Sequence, residues 1–237
     1  MSQAPRYWAV LPSAGGGDRM QIGRPKQYLA IAGKSLLEWS LAPFLEAEWI
    51  DGVVLVLRRN DTEFQRLPIA GHPKIITVSG GARRAESVLA GLDRVESLST
   101  GLDAPVCALV HDAARPCVTV EDIERLCNEA DDDNGGLLAV PLTETLKREA
   151  HERSTATPEQ ACLWRAQSPQ MFRLDKLRAA IKGCLEKGVY PADEAEAMER
   201  AGYRPRLVRG RESNMKLTYA EDLPLVEFWL SRAAYLR

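Results

Sequence analysis

The chain has 237 residues, of which 45% are hydrophobic and 27% are charged, and its formal net charge is −2. This length suits one domain with an ample core, and the near-neutral charge disfavours non-specific binding to nucleic acid. No apolar run approaches the ~18 residues of a membrane span, and the N-terminal residues lack the pattern of a secretion signal. We therefore predict a cytoplasmic globular protein that works without nucleic acid or membrane, with any anionic ligand held by local cations.

The cysteines and histidines show no metal-binding pattern. The five cysteines are scattered without CxxC spacing, and the three histidines (72, 111 and 151) are far apart in the sequence. Such sets are typical of reduced thiols in a cytoplasmic protein, and they disfavour a zinc site.

The stretch 8–29 combines an apolar strand with a glycine-rich loop and two cations. Residues 8–11 predict a strand, Gly15, Gly16 and Gly17 follow, and Arg19 and Lys26 come next. Consecutive glycines expose backbone N–H groups, while Arg and Lys supply positive charge for phosphate oxygens. The GxxxxGK[ST] and GxGxxG patterns are both absent, which excludes a P-loop and an ordinary dinucleotide loop. Spacing alone leaves two interpretations open, a polyphosphate site or a plain turn.

Strand and helix signals alternate through the first two-thirds of the chain. The predicted elements are a helix over 36–46 capped by Ser35, strands over 52–57 and 75–78, a helix over 83–95, a strand over 106–110, a helix from Thr119 to about 128, and a strand over 137–140. This alternation predicts a doubly wound α/β fold with a mainly parallel sheet. The whole chain, 1–237, is interpreted as one domain.

The pattern changes after Pro141. The polar stretch at about 141–163 predicts either a loose loop or a protruding hairpin arm, and an isolated two-stranded hairpin is marginal unless a second subunit holds it. Helices near 174–187 and 193–201, a strand near 205–209 and a final helix from about 219 complete the chain.

Three loops follow predicted strands, at 13–26, 79–87 and 111–115, and should converge at the carboxyl edge of the sheet. Asp112 comes directly after an apolar strand, where a carboxylate beside a polyphosphate would hold Mg²⁺ or another divalent cation. The alternative is a turn or capping aspartate that binds nothing. Gly81 would allow close approach of a flat ligand, and the Ser87 hydroxyl could bond that ligand or cap the turn.

Several motifs then add up to a family resemblance. They stand in this order along the chain: PSAGGGDRM, RPKQY, GGARRAESVLAGL, VHDAARP, TETLKR, LWRAQSPQMF, ADEAEAME and SNMKLTYAEDL. Over residues 7 to about 230 the chain resembles the 2-C-methyl-D-erythritol 4-phosphate cytidylyltransferases. The resemblance implies a Rossmann-like nucleotidyltransferase fold, a homodimer with intertwined arms, and transfer from CTP to a polyol phosphate with Mg²⁺ required.

The resemblance also implies roles for individual residues. Arg19 and Lys26 would stabilise the transition state, Lys216 would place the attacking phosphate, and Asp112 would bind the metal. Thr145 on the arm would reach the acceptor in the neighbouring subunit. The nucleotide would be held by Ser13, Ala14, Gly15, Gly16, Gly17, Gly81, Ser87, Asp112, Ala113 and Arg115.

The chain departs from this family on the acceptor side. Gln160 stands where the family usually has an arginine that holds the acceptor phosphate, and Arg153 or Arg165 are the candidates to replace that charge. Ala192 and Ser213 also differ from the usual residues. Two alternatives therefore stay open: a cytidylyltransferase for another polyol phosphate such as ribitol 5-phosphate, and a non-catalytic nucleotide-binding protein of the same fold.

Overall fold

The computed structural model describes residues 3–15 and 25–235. Gly16, Gly17 and Arg19, which the sequence places in the phosphate loop, lie outside the described residues.

Strands and helices alternate along the chain much as predicted. The strands are β1 (Arg6–Pro12), β2 (Ala30–Ile31), β3 (Lys34–Ser35), β4 (Ile50–Leu57), β5 (Ile75–Ser79), β6 (Val106–Val110), β7 (Gly136–Pro141), β8 (Arg148–Ala150), β9 (Arg153–Ala156), β10 (Trp164–Arg173) and β11 (Arg206–Arg209). The α-helices are α1 (Leu36–Glu46), α2 (Arg84–Ser99), α3 (Val120–Glu129), α4 (Leu174–Glu186), α5 (Glu194–Arg200) and α6 (Leu223–Tyr235).

Seven strands form the main sheet in the order β11-β7-β10-β6-β1-β4-β5. All neighbours pair in parallel except β10, which is antiparallel to both β6 and β7. This mainly parallel, mixed sheet confirms the predicted fold class. The strand β10 was not predicted, because its polar residues Gln167, Ser168 and Gln170 interrupt the apolar pattern although they are buried.

The core lies on both faces of the sheet. Along β1, Ala9 and Leu11 face the side covered by α1 and α3, whereas Val10 faces the side covered by α2, α4 and α5. Successive strand residues point to opposite faces, so a strand covered on both sides must be apolar throughout. The buried apolar run 53–57 of β4 meets this requirement, and the structure therefore has the doubly wound arrangement expected.

Helix starts follow local capping chemistry. Ser35 accepts a hydrogen bond from the Glu38 backbone N–H while the Glu38 carboxylate accepts one from the Ser35 N–H. Thr119 and Asp122 form the same reciprocal box at the start of α3. Each box satisfies two backbone donors that the helix leaves unpaired, which explains why these boundaries were readable from the sequence.

The polar segment after β7 forms a hairpin arm, which we define as residues 141–163. Strands β8 and β9 pair in antiparallel fashion within it, and the side chains over 143–157 are exposed. The hairpin alternative is therefore the one observed.

All five cysteines are free; Cys162 on the arm is exposed, and the other four are buried. None of the helices in the described part of the chain is long and apolar enough to cross a membrane.

Candidate active site

A cavity of about 390 Å³ opens at the carboxyl edge of the sheet. Strand β1 lies between β4 and β6 in the sheet. After β1 the chain adds β4 and β5 on one side, and it then crosses to β6 on the other side. In α/β proteins, ligand crevices form where the strand order reverses in this way. The cavity is lined by Pro12, Ser13, Ala14, Gly15, Lys26, Gln27, Gly81, Ala82, Arg83, Arg84, Ser87, Asp112, Ala113, Ala114, Lys216 and Thr218. All three predicted loops contribute, so their convergence is confirmed, and Lys216 and Thr218 line the cavity as well.

Hydrogen bonds hold the first loop at Ser13, where it begins, and at Lys26 and Gln27, where it ends. The Ser13 N–H donates to the carbonyl of Val56 at 2.8 Å, and the Gln27 amide donates to the carbonyl of Ser13 at 2.9 Å. Lys26 Nζ donates to the carbonyl of Leu217 at 3.0 Å. A buried Gln27 thus places the neighbouring Lys26 ammonium against the cavity, beside the segment that carries Lys216.

The second loop is built around close packing at the start of α2. A Cβ atom on Gly81 would lie 2.4 Å from the Cβ of Glu86, so only glycine fits. The buried Ser87 hydroxyl accepts from the Gly81 N–H at 3.2 Å and donates to the carbonyl of Arg83 at 3.2 Å. Of the two interpretations of Ser87, the described contacts show the turn cap, at a position on the cavity wall.

Asp112 is the only acidic residue among the described residues that line the cavity. Its Oδ1 lies 3.2 Å from Arg84 Nη2, and its Oδ2 lies 2.9 Å from Lys216 Nζ and 3.5 Å from Arg115 Nε. Burial alone would raise the pKa of this carboxyl group, but the cations of Arg84, Lys216 and Arg115 hold it well below its usual range. Asp112 is therefore ionised, and Lys216 is part of the site rather than a solvated surface charge.

Arg84, on the cavity wall, forms an ion pair with the buried Glu194, a residue that the sequence pattern does not mark as functional. Arg84 Nη1 donates to Glu194 Oε1 at 2.6 Å and Nη2 donates to Oε2 at 3.2 Å, while the Glu194 side chain is 2% exposed. Burial raises the pKa of Glu194, and the Arg84 guanidinium opposes that shift. Glu194 stands beside Glu196 and Glu199 in one polar stretch, and no sequence signal distinguishes which of them is buried.

A hydrogen-bonded chain beneath Asp112 fixes the third loop. The Asp112 N–H donates to Ser168 Oγ at 3.0 Å, and Ser168 Oγ lies 3.1 Å from His111 Nδ1. On the other side of the ring, His111 Nε2 lies 3.0 Å from the carbonyl of Arg115. Because a carbonyl can only accept, Nε2 carries the proton and Nδ1 accepts from the serine. Burial of this ring lowers the pKa of His111 to about 4, so the imidazole is neutral at physiological pH.

Arg115 supports the same loop from the side. Its Nη1 donates to the carbonyl of Asn214 at 2.9 Å and its Nη2 to the carbonyl of Ala166 at 3.3 Å. These contacts tie the loop after β6 to β10 and to the segment before Lys216. Ala113 lines the cavity directly, whereas Arg115 holds the loop from behind it.

The charges of the cavity fit a divalent cation that arrives with a polyphosphate. The described residues contain no cluster of three or more His, Cys, Asp or Glu side chains placed to hold a metal on their own. Mg²⁺ is commonly bound through one or two carboxylates together with substrate phosphates. Asp112, the single ionised carboxylate among the described residues of the cavity, fits a metal that is bound jointly by the protein and by the substrate phosphates.

Two predicted site residues lie away from the cavity. Thr145 is exposed on the arm, and Gln160 forms a turn at the base of the arm, where its amide donates to the carbonyl of Leu142 at 3.0 Å. Of the candidates to replace the missing charge, Arg165 pairs with Glu212, and Arg153 is exposed on β9. Within one chain, the described contacts do not bring these residues to the cavity.

Comparison with known proteins identifies the family. Residues 7–232 match the family described as IspD, 2-C-methyl-D-erythritol 4-phosphate cytidylyltransferase. The chain is 45% identical over 225 residues to the enzyme of that name from Mannheimia succiniciproducens, covering 94% of this chain and 96% of the relative. It is 47% identical over 220 residues to the one from Pseudomonas putida, covering 92% and 93%.

Solved structures agree with these matches. The fold superposes on a crystal structure of 4-diphosphocytidyl-2C-methyl-D-erythritol synthase with a TM-score of 0.81 and 36% identity, covering 97% of this chain and 100% of that one. The Francisella tularensis 2-C-methyl-D-erythritol 4-phosphate cytidylyltransferase gives a TM-score of 0.78 and 30% identity, with 94% and 99% covered. Sequence and fold therefore agree along nearly the whole length, and the chain belongs to the IspD family of 2-C-methyl-D-erythritol 4-phosphate cytidylyltransferases.

Proposed function

We propose that this chain transfers the cytidylyl group of CTP to 2-C-methyl-D-erythritol 4-phosphate, the family's reaction in the non-mevalonate route to isoprenoids. An oxygen of the acceptor phosphate attacks the α-phosphorus of CTP, a new P–O bond forms, and the bond to the β-phosphate breaks. The products are CDP-methylerythritol and pyrophosphate. The observation that carries this proposal is the convergence of Lys26, Asp112 and Lys216 on one cavity in a chain that matches the family from residue 7 to 232.

Catalysis in such a site consists of positioning and charge stabilisation, because phosphoryl and nucleotidyl transfer need no covalent enzyme intermediate. Lys26 supplies a fixed positive charge for the α-phosphate, and we assign Arg19 the same role. Lys216 bonds to Asp112 in this structure; it would leave this carboxylate when the divalent cation arrives with CTP, and would then bind the attacking phosphate of the acceptor. A lysine suits this role better than an arginine, because its flexible ammonium group can bind first the carboxylate and then the phosphate.

The nucleotide is assigned to the three loops. Backbone N–H groups of residues 13–17 would surround the triphosphate, and Gly81, Ser87 and Ala113 would border the cytidine. Mg²⁺, when bound, would neutralise phosphate charge. Asp112 is the residue that would hold it, with Arg115 keeping the loop of Asp112 in place.

The acceptor side requires the arm. Thr145 and Gln160 do not reach the cavity of their own chain, so we propose a homodimer in which the arm of one subunit borders the cavity of the other. The exposed apolar side chains of Leu146 and Trp164, at 41% and 38% exposure, favour burial against such a partner. Gln160 supplies no positive charge for the acceptor phosphate, so the identity of the acceptor is the part of the proposal that most needs a test.

The deciding experiment is a coupled pyrophosphate-release assay with CTP and Mg²⁺. Methylerythritol phosphate and ribitol 5-phosphate are compared as acceptors at equal concentration. We expect a higher kcat/KM with methylerythritol phosphate. Faster turnover with ribitol 5-phosphate would overturn the acceptor assignment, and no release with either acceptor would overturn the transfer reaction.

A further inference from the structure

Glu194 is a buried carboxylate that lies outside the cavity wall, at the first position of α5. A buried carboxylate without a partner is very costly, so it binds a nearby guanidinium firmly, and a bidentate pair adds a fixed geometry. The contacts from Arg84 to Glu194, at 2.6 and 3.2 Å, are of this bidentate kind. The orientation of Arg84 is therefore set from α5, on the side away from the cavity.

Arg84 reaches Asp112 only with its remaining donors. Its Nε and Nη2 lie 3.4 and 3.2 Å from Asp112 Oδ1, which is longer than its shortest contact to Glu194. The other oxygen, Oδ2, is bound mainly by Lys216, whose side chain is 36% exposed. The two oxygens of Asp112 thus differ: Oδ1 meets a clamped guanidinium, and Oδ2 meets a flexible ammonium.

Glu194 also sets the charge of this cluster. Arg84, Arg115 and Lys216 contribute three positive charges, and Asp112 and Glu194 contribute two negative ones, which leaves a net charge of about +1. Without Glu194 the net charge would be about +2, and Asp112 would be the one carboxylate facing three cations. Arg84, no longer bonded to Glu194, would then bind Asp112 more tightly and would compete with any divalent cation for this carboxylate.

The position of Glu194 is fixed independently of Arg84. Gln170 on β10 donates to Asp193 Oδ2 at 3.0 Å and accepts from the Ala195 N–H at 2.8 Å, which fastens the residues on both sides of Glu194. Asp193 also caps α5 by accepting from the Glu196 N–H at 2.9 Å. The carboxylate that clamps Arg84 is therefore held on the sheet itself.

We propose that Glu194 is a positioning residue for cytidylyl transfer. Through Arg84, it keeps Asp112 Oδ1 fixed and leaves Oδ2 able to exchange Lys216 for the divalent cation that accompanies CTP. This inference rests on the proposed function, since it concerns the same site.

The test compares the Kd for CTP with Mg²⁺ and the Kd for CTP in EDTA, measured by titration calorimetry without acceptor so that no turnover occurs. In Glu194→Gln we expect the enhancement of CTP affinity by Mg²⁺ to fall about 10-fold, as is typical when a residue that orients a metal ligand is removed. Metal-free CTP should bind as tightly as in the wild type or more tightly, because the cluster gains positive charge. A residue that merely stabilises the fold would weaken both forms of binding together.

Three further variants complete the experiment. Glu199→Gln removes an exposed carboxylate from the same helix and should leave both Kd values unchanged. The double variant Arg84→Gln with Glu194→Gln returns the cluster to about +1, so it should regain part of the Mg²⁺ enhancement lost in the single variant. Glu194→Asp keeps the charge and remains informative if Glu194→Gln folds poorly; it should retain most of the Mg²⁺ enhancement, because the net charge of the cluster is unchanged.

Equal weakening of both Kd values in Glu194→Gln, or no recovery in the double variant, would overturn the inference. A wild-type chain that binds no CTP would instead contradict the proposed function. The two failures are therefore distinguishable in one set of titrations.

Discussion

Asp112 shows how a single residue acquires a function from its neighbours. Two arginines and a lysine keep its carboxylate ionised, and a hydrogen-bonded serine and histidine hold its backbone. Only His111 and Arg115 among these partners are close to it in the sequence. The sequence places Asp112 at a strand end and so predicts its location, but the composition of its surroundings depends on β10, α2 and the segment before α6.

Lys26 is expected to act on turnover more than on nucleotide affinity. Removing one charged donor from a site that stabilises developing charge typically costs about 100-fold or more in kcat. We therefore predict such a loss for Lys26→Ala in the pyrophosphate assay, with a much smaller change in the Kd for CTP from calorimetry. Unchanged turnover would contradict the assignment of Lys26 to the transition state.

His111 is expected to make stability depend on pH. Folding lowers its pKa from about 6.5 to about 4, so between these values the unfolded chain binds more protons and acid favours unfolding. The stability present above pH 6.5 is therefore lost as the pH falls through this window, by about 2 kcal/mol between pH 7.5 and 5.

The measurement is the free energy of urea unfolding across this pH range. His111→Gln should be less stable than wild type at pH 7.5, because it loses the bonds to Ser168 and Arg115, and should show a shallower decline toward pH 5. His151→Asn, at the exposed tip of the arm, is the matched control and should keep the wild-type slope. An unchanged slope in His111→Gln would show that another group titrates.

At the scale of elements, helix α2 is placed by a close contact with β1. A Cβ atom on Gly91 would lie 2.4 Å from Val10 Cγ1, so the helix approaches the strand more closely than any side chain allows. Two sequence features were sufficient to predict α2, its helical spacing and the glycine pair before it. The sequence alone does not reveal the packing role of Gly91, since glycine inside a helix otherwise only lowers helix propensity.

Gly91→Ala and Gly183→Ala should have opposite effects on stability. Alanine favours a helix over glycine by about 0.5–1 kcal/mol, but overpacking a core costs about 1–3 kcal/mol. We predict net destabilisation by Gly91→Ala. A methyl group on Gly183 in α4 would meet no atom within 4 Å, so Gly183→Ala should stabilise by about 0.5 kcal/mol or more. Urea midpoints measure both, and a stabilising Gly91→Ala would disprove the close contact.

At the scale of the whole molecule, the sequence predicted the layers and the edge where the loops meet, because both follow from strand alternation. It did not predict the insertion of β10 between β6 and β7, since buried Gln167, Ser168 and Gln170 resemble a polar loop until their partners are known. Two of these residues, Ser168 and Gln170, fasten the loop of Asp112 and the start of α5. The unpredicted strand is thus the one that organises the site.

The arm is expected to join two subunits. Multi-angle light scattering at micromolar concentration should give about twice the chain mass of 26.2 kDa. Replacing residues 144–157 with two glycines should yield a monomer that still binds CTP, because the cavity lies elsewhere, but transfers poorly to the acceptor. A wild-type monomer, or full activity in the shortened chain, would count against a shared site.

The distribution of the cysteines has a practical consequence for following the arm in solution. Burial raises the pKa of Cys117 to about 12 and also raises the pKa values of Cys107 and Cys127, whereas Cys162 is exposed at the base of the arm. A maleimide fluorophore at neutral pH should therefore label one thiol per chain, as mass spectrometry would verify. The natural sequence thus carries its own attachment point for a fluorescent reporter of subunit exchange.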